Sequence, residues 1–98
     1  MTWQIEIDDF AKSQIKNLNK SIQTRIAKFI DKLMTLENPK VLGDTLRKEL
    51  HPLVKYRIGD YRLICKLENK KLILLVVFIG HRSSVYEELT KYLNKKNI

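Results

Sequence analysis

Val54-Lys55-Tyr56-Arg57-Ile58, Gly59-Asp60, Tyr61-Arg62-Leu63-Ile64-Cys65-Lys66-Leu67-Glu68 is the stretch that decides the architecture. Side chains of a strand alternate between faces, so Val54, Tyr56 and Ile58 share one side and Lys55 and Arg57 the other. The second segment repeats the pattern, with Tyr61, Leu63, Cys65 and Leu67 on an apolar face and Arg62, Ile64 and Lys66 opposite. A two-residue connection such as Gly59-Asp60 is the commonest way to join antiparallel neighbours. Folding the pair about it puts Lys55, Arg57 and Arg62 on one side. A third strand, about Lys71–Ile79, is expected across a second two-residue connection, Asn69-Lys70. Its apolar run from Leu72 to Ile79 predicts a strand covered on both sides.

Working outward, Trp3, Ile5 and Ile7 alternate with Gln4 and Glu6, which predicts a first strand with one face covered. Asp8 or Asp9 then caps a helix carrying Phe10, Ala11, Ile15 and Leu18 on one side. Asn17-Leu18-Asn19 marks a break. A longer helix is expected next, capped near Ser21 and ended by Pro39. Ile22, Ile26, Phe29, Ile30, Leu33 and Met34 form its apolar side, and Lys20, Arg25, Lys28 and Lys32 lie mostly on the other. Residues Lys40 to Leu53 read as a connector with turn signals at Gly43-Asp44 and His51-Pro52; Leu42, Leu46 and Leu50 are spaced for a short helix within it. A last helix, about Ser84 to Asn94, turns Val85, Leu89 and Leu93 or Tyr92 inward. Lys91, Lys95 and Lys96 near its end suit the helix dipole. The order β-α-α-β-β-β-α predicts one α+β domain over residues 1–98. Its antiparallel-rich sheet of about four strands carries an N-terminal helical hairpin and a C-terminal helix.

Composition narrows the partners. Lys and Arg number 19 against 11 acidic residues, a formal net charge of +8 on 98 residues. Such an excess favours association with nucleic acid or an acidic protein; the plainer reading is solubility. The charges recur at strand spacing around the motifs rather than in a tail, which favours the first. The single cysteine, Cys65, lies in an apolar-alternating strand and reads as a buried structural thiol in a reducing interior. Met1 to Ile7 has no basic region followed by an apolar segment, so no secretion signal is expected. The apolar run from Leu72 is far short of the ~20 residues that span a bilayer. A cytoplasmic location is expected.

The chemistry gathers where the third strand ends, in Gly80-His81-Arg82-Ser83-Ser84-Val85-Tyr86. Arg82 leaves the strand and Tyr86 stands four residues on, one helical turn away. Lys55, Arg57, Arg62, Arg82 and Tyr86 are thus expected to line one concave surface. That set suits cleavage of RNA by its own 2′-hydroxyl. Arginine forks hold a phosphate and stabilise the charge of a pentacoordinate phosphorane. A phenol or lysine can move a proton, whereas a guanidinium stays protonated. No cofactor is called for, and no Asp/Glu/His cluster has metal-ligand spacing. Each residue also has a plainer role. Tyr56 and Tyr61 fall on the core side by alternation, and His51 reads as inert. His81 is expected to point away from Arg82, at a helix edge or in the core; facing the pocket instead, its imidazole would suit acid–base work near neutral pH. Arg62 and Arg82 have ion pairing with Glu49 or Asp60 as their alternative.

The tract Lys55-Tyr56-Arg57-Ile58-Gly59-Asp60-Tyr61-Arg62-Leu63-Ile64, followed by Ile79-Gly80-His81-Arg82-Ser83-Ser84-Val85-Tyr86, resembles the RelE branch of the RelE/ParE toxin superfamily. The likeness extends over nearly the whole chain. It implies the toxin of a type II toxin–antitoxin pair, a metal-independent endoribonuclease that enters the ribosomal A site and cuts messenger RNA. The product would be a 2′,3′-cyclic phosphate, and a cognate RelB-like antitoxin would be the inhibitor. By position, the resemblance gives Lys55 proton removal, Arg57 a second basic place held in some members by an acid-donating lysine, and Arg62 and Arg82 the phosphate. Tyr86 matches a tyrosine that stacks on or activates the nucleotide. Arg57 keeps the charge but does not release its proton, leaving acid catalysis to Lys55, Tyr86, His81 or ribosomal groups. Two other readings keep the fold: a ParE-like inhibitor of DNA gyrase without catalysis, and a non-catalytic RNA-binding module.

Overall fold

In the computed structural model, which describes residues 3–46 and 53–96, Val54–Ile58 and Tyr61–Glu68 pair antiparallel about the expected turn. Ile58 faces Tyr61 and Arg57 faces Arg62. Gly59 opens the turn at φ +59, a conformation open to a residue without a Cβ and suited to a two-residue hairpin. In chain order the elements are β1 (Gln4–Ile7), α1 (Asp9–Lys16), α2 (Lys20–Met34), a 3-10 turn (Pro39–Leu42), β2 (Asp44–Thr45), β3 (Val54–Ile58), β4 (Tyr61–Glu68), β5 (Ile73–His81) and α3 (Val85–Lys96). They build a five-stranded sheet in the order β1-β5-β4-β3-β2, in which only the β1–β5 pair is parallel.

Helices cover both faces. Ala11 of α1 and Ile26 and Leu33 of α2 pack on Val54, Tyr56, Ile58, Leu63, Cys65, Leu74 and Val76. On the other side Val85 and Leu89 of α3 pack on Ile64 and Phe78, with Leu46. β5 is therefore covered on both sides, as its apolar run predicts. Tyr56 is fully buried and its hydroxyl donates to the Pro39 carbonyl at 2.9 Å. Burial, and then the neighbouring Cys65, push its phenol above its ordinary range. Cys65 is likewise buried and its thiol is pushed up by burial, which leaves it structural rather than nucleophilic. No helix among the described residues is long and apolar enough to cross a membrane.

Several local expectations are corrected. α2 is capped by Asn19, not Ser21: the Ile22 N–H donates to Asn19 Oδ1 at 3.0 Å and Ser21 Oγ to the same oxygen at 2.7 Å. α2 ends at Met34 rather than at Pro39, which instead starts the 3-10 turn where its missing N–H does no harm. The Asn69-Lys70 turn is longer than two residues, because Glu68 pairs with Ile73. Leu72 closes it at φ +54, held by packing on the core and by the Gln4 N–H donated to its carbonyl at 2.8 Å. The fifth strand, β2, has only two residues and carries no readable alternation. Phe10 and Met34 are exposed rather than inward; Phe10 stacks on Tyr92 at 4.2 Å, reaching around the sheet toward α3. The short helix through Leu42, Leu46 and Leu50 is replaced at its start by the 3-10 turn and β2, and Leu50 and His51-Pro52 lie outside the described residues.

One contact ties α1 to the strand that leads into the basic motif. β1 ends opposite Val76, so the backbone of β5 beyond that point needs another partner. Gln14 supplies it: its side-chain amide donates to the Ile79 carbonyl and accepts from the Ile79 N–H, both at 2.9 Å. Gln14→Ala leaves both groups without that partner and is expected to lower stability by about 1–3 kcal/mol, read from a urea titration. An unchanged midpoint would show that water replaces the amide.

Candidate active site

The sequence brings cations to one face because β3 and β4 alternate in step. Lys55 lies opposite Ile64 and Arg57 opposite Arg62, on the face covered by α3. β5 delivers Arg82 to the same end of the sheet, where its N–H donates to the Asp60 carbonyl at 2.7 Å. Tyr86 sits in the first turn of α3, and Gly80 lets that turn come close. A Cβ there would stand 3.0 Å from Val85 Cγ2. Lys55, Arg57, Arg62, His81, Arg82, Ser83 and Tyr86 line one open cleft of about 470 Å³. The five residues expected to converge do so.

The cleft is under electrostatic tension. Arg57 and Arg62 are direct cross-strand partners, a like-charge pairing that opposes sheet formation. Arg62 is steadied by donating Nη1 to the carbonyls of Gly59 at 3.0 Å and Tyr61 at 2.9 Å. Arg82 Nε lies 3.5 Å from Asp60 Oδ1, an exposed ion pair of small strength. It is the only ion pair to a carboxylate made by these cations among the described residues. The ion-pair alternative for Arg62 and Arg82 is met at Arg82, which takes Asp60, and Glu49 lies outside the described residues. Lys55 Nζ stands over the Tyr86 ring, 5.3 Å from its centre. The Tyr86 hydroxyl is buried and, among the described residues, has no hydrogen-bond partner. A buried orphan hydroxyl is unfavourable.

His81 corrects the expectation of a core or helix-edge residue. It is exposed at the rim, its ring edge-on to Tyr61 at 5.6 Å. Its Nδ1 accepts the Ser83 N–H at 3.2 Å and lies 2.8 Å from Ser83 Oγ. Accepting at Nδ1 leaves the ring proton on Nε2 in the neutral form. Tyr61 is half-buried against the helical-hairpin core, on the side alternation predicts. Ser83 is the lining residue that sequence reasoning passed over; its place between His81 and Tyr86 was the available signal. Among the described residues no group of three His, Cys, Asp or Glu side chains could hold a metal ion.

A small α+β fold with helices on both sheet faces and a cationic cleft at one end of the sheet defines the class. Residues 5–86 match the family described as ParE toxin of type II toxin-antitoxin system, parDE, and the chain belongs to that family as a RelE-like toxin. It is 31% identical over 90 residues to a RelE-like toxin protein of Escherichia coli, covering 88% of this chain and 92% of the relative. It is 25% identical over 95 residues to the mRNA interferase toxin RelE of Escherichia coli K12, covering 93% and 97%. Among solved structures, the free state of an Escherichia coli RelE mutant superposes with a TM-score of 0.71 at 22% identity, covering 94% of this chain and 98% of that one. The RelE–RelB complex from Pyrococcus horikoshii gives 0.66 at 25% identity, covering 84% and 97%.

Two substitutions report the tension. Arg57→Thr is expected to raise stability by about 0.2–1 kcal/mol by removing the like-charge pair. Tyr86→Phe is expected to leave stability unchanged or slightly higher, since an unpartnered hydroxyl contributes only a desolvation penalty. Denaturant titration of both variants checks this; a loss of about 1 kcal/mol or more in Tyr86→Phe would mean that the hydroxyl has a partner in the free protein.

Proposed function

We propose that this toxin cuts messenger RNA in the ribosomal A site, by attack of a ribose 2′-hydroxyl on the adjacent phosphodiester. The observation that carries the reading is the convergence of Lys55, Arg57, Arg62, Arg82 and Tyr86 on one cleft, with Lys55 over the Tyr86 ring. Arg62 and Arg82 hold the phosphate and stabilise the phosphorane with the donors they do not spend on the Gly59–Asp60 turn. Arg57 adds charge. Lys55 brings an exchangeable proton to the cleft beside the Tyr86 ring, which offers a face for a base to stack on; the buried Tyr86 hydroxyl reaches the reaction only if the side chain turns on binding. The 2′-oxygen bonds to phosphorus as the bond to the 5′-oxygen breaks. One proton leaves the 2′-hydroxyl and one joins the 5′-oxygen, giving a 2′,3′-cyclic phosphate and a free 5′-hydroxyl. A guanidinium does not supply that last proton, so it comes from Lys55, Tyr86, His81 or the ribosome. With acid–base equipment this sparse, positioning on the ribosome supplies much of the rate.

A RelE–RelB complex among the solved relatives supports a RelB-like antitoxin as the partner that silences the cleft, and a cytoplasmic site of action follows from the target. Messenger 5′ ends mapped in a translating extract test the proposal. New breaks within codons are expected only when ribosomes are present, and Arg82→Ala and Tyr86→Ala are expected to abolish both the breaks and growth inhibition at matched expression and unchanged circular dichroism. Double-strand DNA breaks in the presence of gyrase, with intact messages, would instead support the ParE-like reading. Neither kind of break would leave a non-catalytic RNA-binding module.

A further inference from the structure

Arg25 sits on α2, on the opposite side of the sheet from α3, yet its guanidinium lies against the turn on which Arg62 and Arg82 of the cleft are anchored. A Cβ at Gly59 would stand 2.6 Å from Arg25 Nη1, 3.0 Å from its Cζ and 3.1 Å from its Nη2. Arg62 grips the same glycine from the other side, donating Nη1 to its carbonyl at 3.0 Å. The next residue, Asp60, holds Arg82 through both its carbonyl and its carboxylate. Three guanidinium groups from α2, β4 and the end of β5 are therefore seated on one two-residue turn, with a single carboxylate between them. Arg25 is exposed and, among the described residues, makes no ion pair or side-chain hydrogen bond. Like charges do not gather on one turn for stability; the arrangement is one that a polyanion resolves.

We propose that Arg25 is a further substrate-binding residue, holding an RNA phosphate next to the one bound by Arg62 and Arg82, so that the strand crosses the rim at Gly59. This rests on the messenger-cleavage reading and extends its site from one phosphate to two. Gly59 leaves room for this close approach. A side chain there would occupy the space of the guanidinium, and the positive φ already favours glycine. Arginine suits the role because its planar fork grips phosphate oxygens in pairs. Arg25 contacts no bond that forms or breaks, so its contribution falls on binding.

The test measures binding of the full chain to a short single-stranded RNA with 2′-O-methyl riboses, which cannot be cut, by fluorescence anisotropy across sodium chloride concentrations. Single-strand binding weakens with salt by about 0.7 in log–log slope for each phosphate neutralised. Arg25→Ala is expected to reduce the slope by about that amount and to weaken binding about two- to fivefold, with Arg25→Lys restoring the slope. Lys91→Ala is the control of equal charge change; Lys91 pairs with Glu87 on α3 at 3.5 Å and is expected to leave the slope unchanged. If Arg25→Ala behaves like Lys91→Ala while Arg62→Ala loses binding, the role of Arg25 is overturned and the RNA reading stands. If Arg62→Ala also binds normally, the RNA reading itself fails. Equal weakening of Arg25→Ala toward polyglutamate of matched charge would overturn the assignment to RNA in favour of an acidic protein partner.

Discussion

The register of β3 against β4 is the constraint on which the rest depends. Side chains alternate with a period of two, so a slip of one residue would exchange every partner across the sheet. Lys55 and Arg57 would then enter the core beneath α2, and Tyr56 and Ile58 would face α3. The Gly59–Asp60 turn prevents the slip by fixing Ile58 opposite Tyr61, and the burial of Tyr56 and Leu63 enforces it from within. Core and cleft are thus two faces of one pairing. The hydrophobic face keeps the charged one in place against its own repulsion, since burying apolar surface outweighs one like-charge cross-strand contact.

The cleft is assembled from parts that are locally unfavourable and tolerated because the scaffold over-determines them. Arg57 faces Arg62, the Tyr86 hydroxyl is buried without a partner, and Leu72 holds a backbone angle branched side chains rarely adopt. The first two bear on the site and the third on the way β5 enters the sheet. Stability is supplied elsewhere, by the two apolar layers and by contacts such as the amide of Gln14 on the Ile79 backbone. This division matches the general pattern in which a binding surface is strained and its support is not.

What could be read from residues alone was whatever repeats with a clear period. The β3 and β4 strands alternate without interruption, and their bounds and faces follow directly. β5 does not: Val77 is an extra residue, with Ile64 opposite Phe78 but Cys65 opposite Val76. That bulge reverses the alternation, turning Phe78 to the α3 side and Ile79 to the hairpin side, so faces inferred by counting along β5 fail beyond it. His81 keeps the strand register, opposite Tyr61, but it is the exposed end of β5, and alternation says nothing of burial there. Arg25 falls with the other cations on the outer side of α2 by helical counting, and only the packing of α2 against the hairpin turn brings it to the rim. Asn19 and Ser21 are both good caps, and sequence offers no rule to choose between them. The convergence of Lys55, Arg62, Arg82 and Tyr86 was legible because each sits near a turn or strand end with a plain signal.

The sheet order has a consequence for synthesis. β5 occupies a place between β1 and β4, yet it leaves the ribosome after both, and the parallel β1 has no neighbour until it arrives. A nascent chain halted before β5 lacks the strand that joins β1 to β4, Arg82 and Tyr86 together, so it can neither close its core nor complete its cleft. Long-range pairing of this kind also slows folding. The cleft is therefore absent from the nascent chain until β5 and the first turn of α3 have been made.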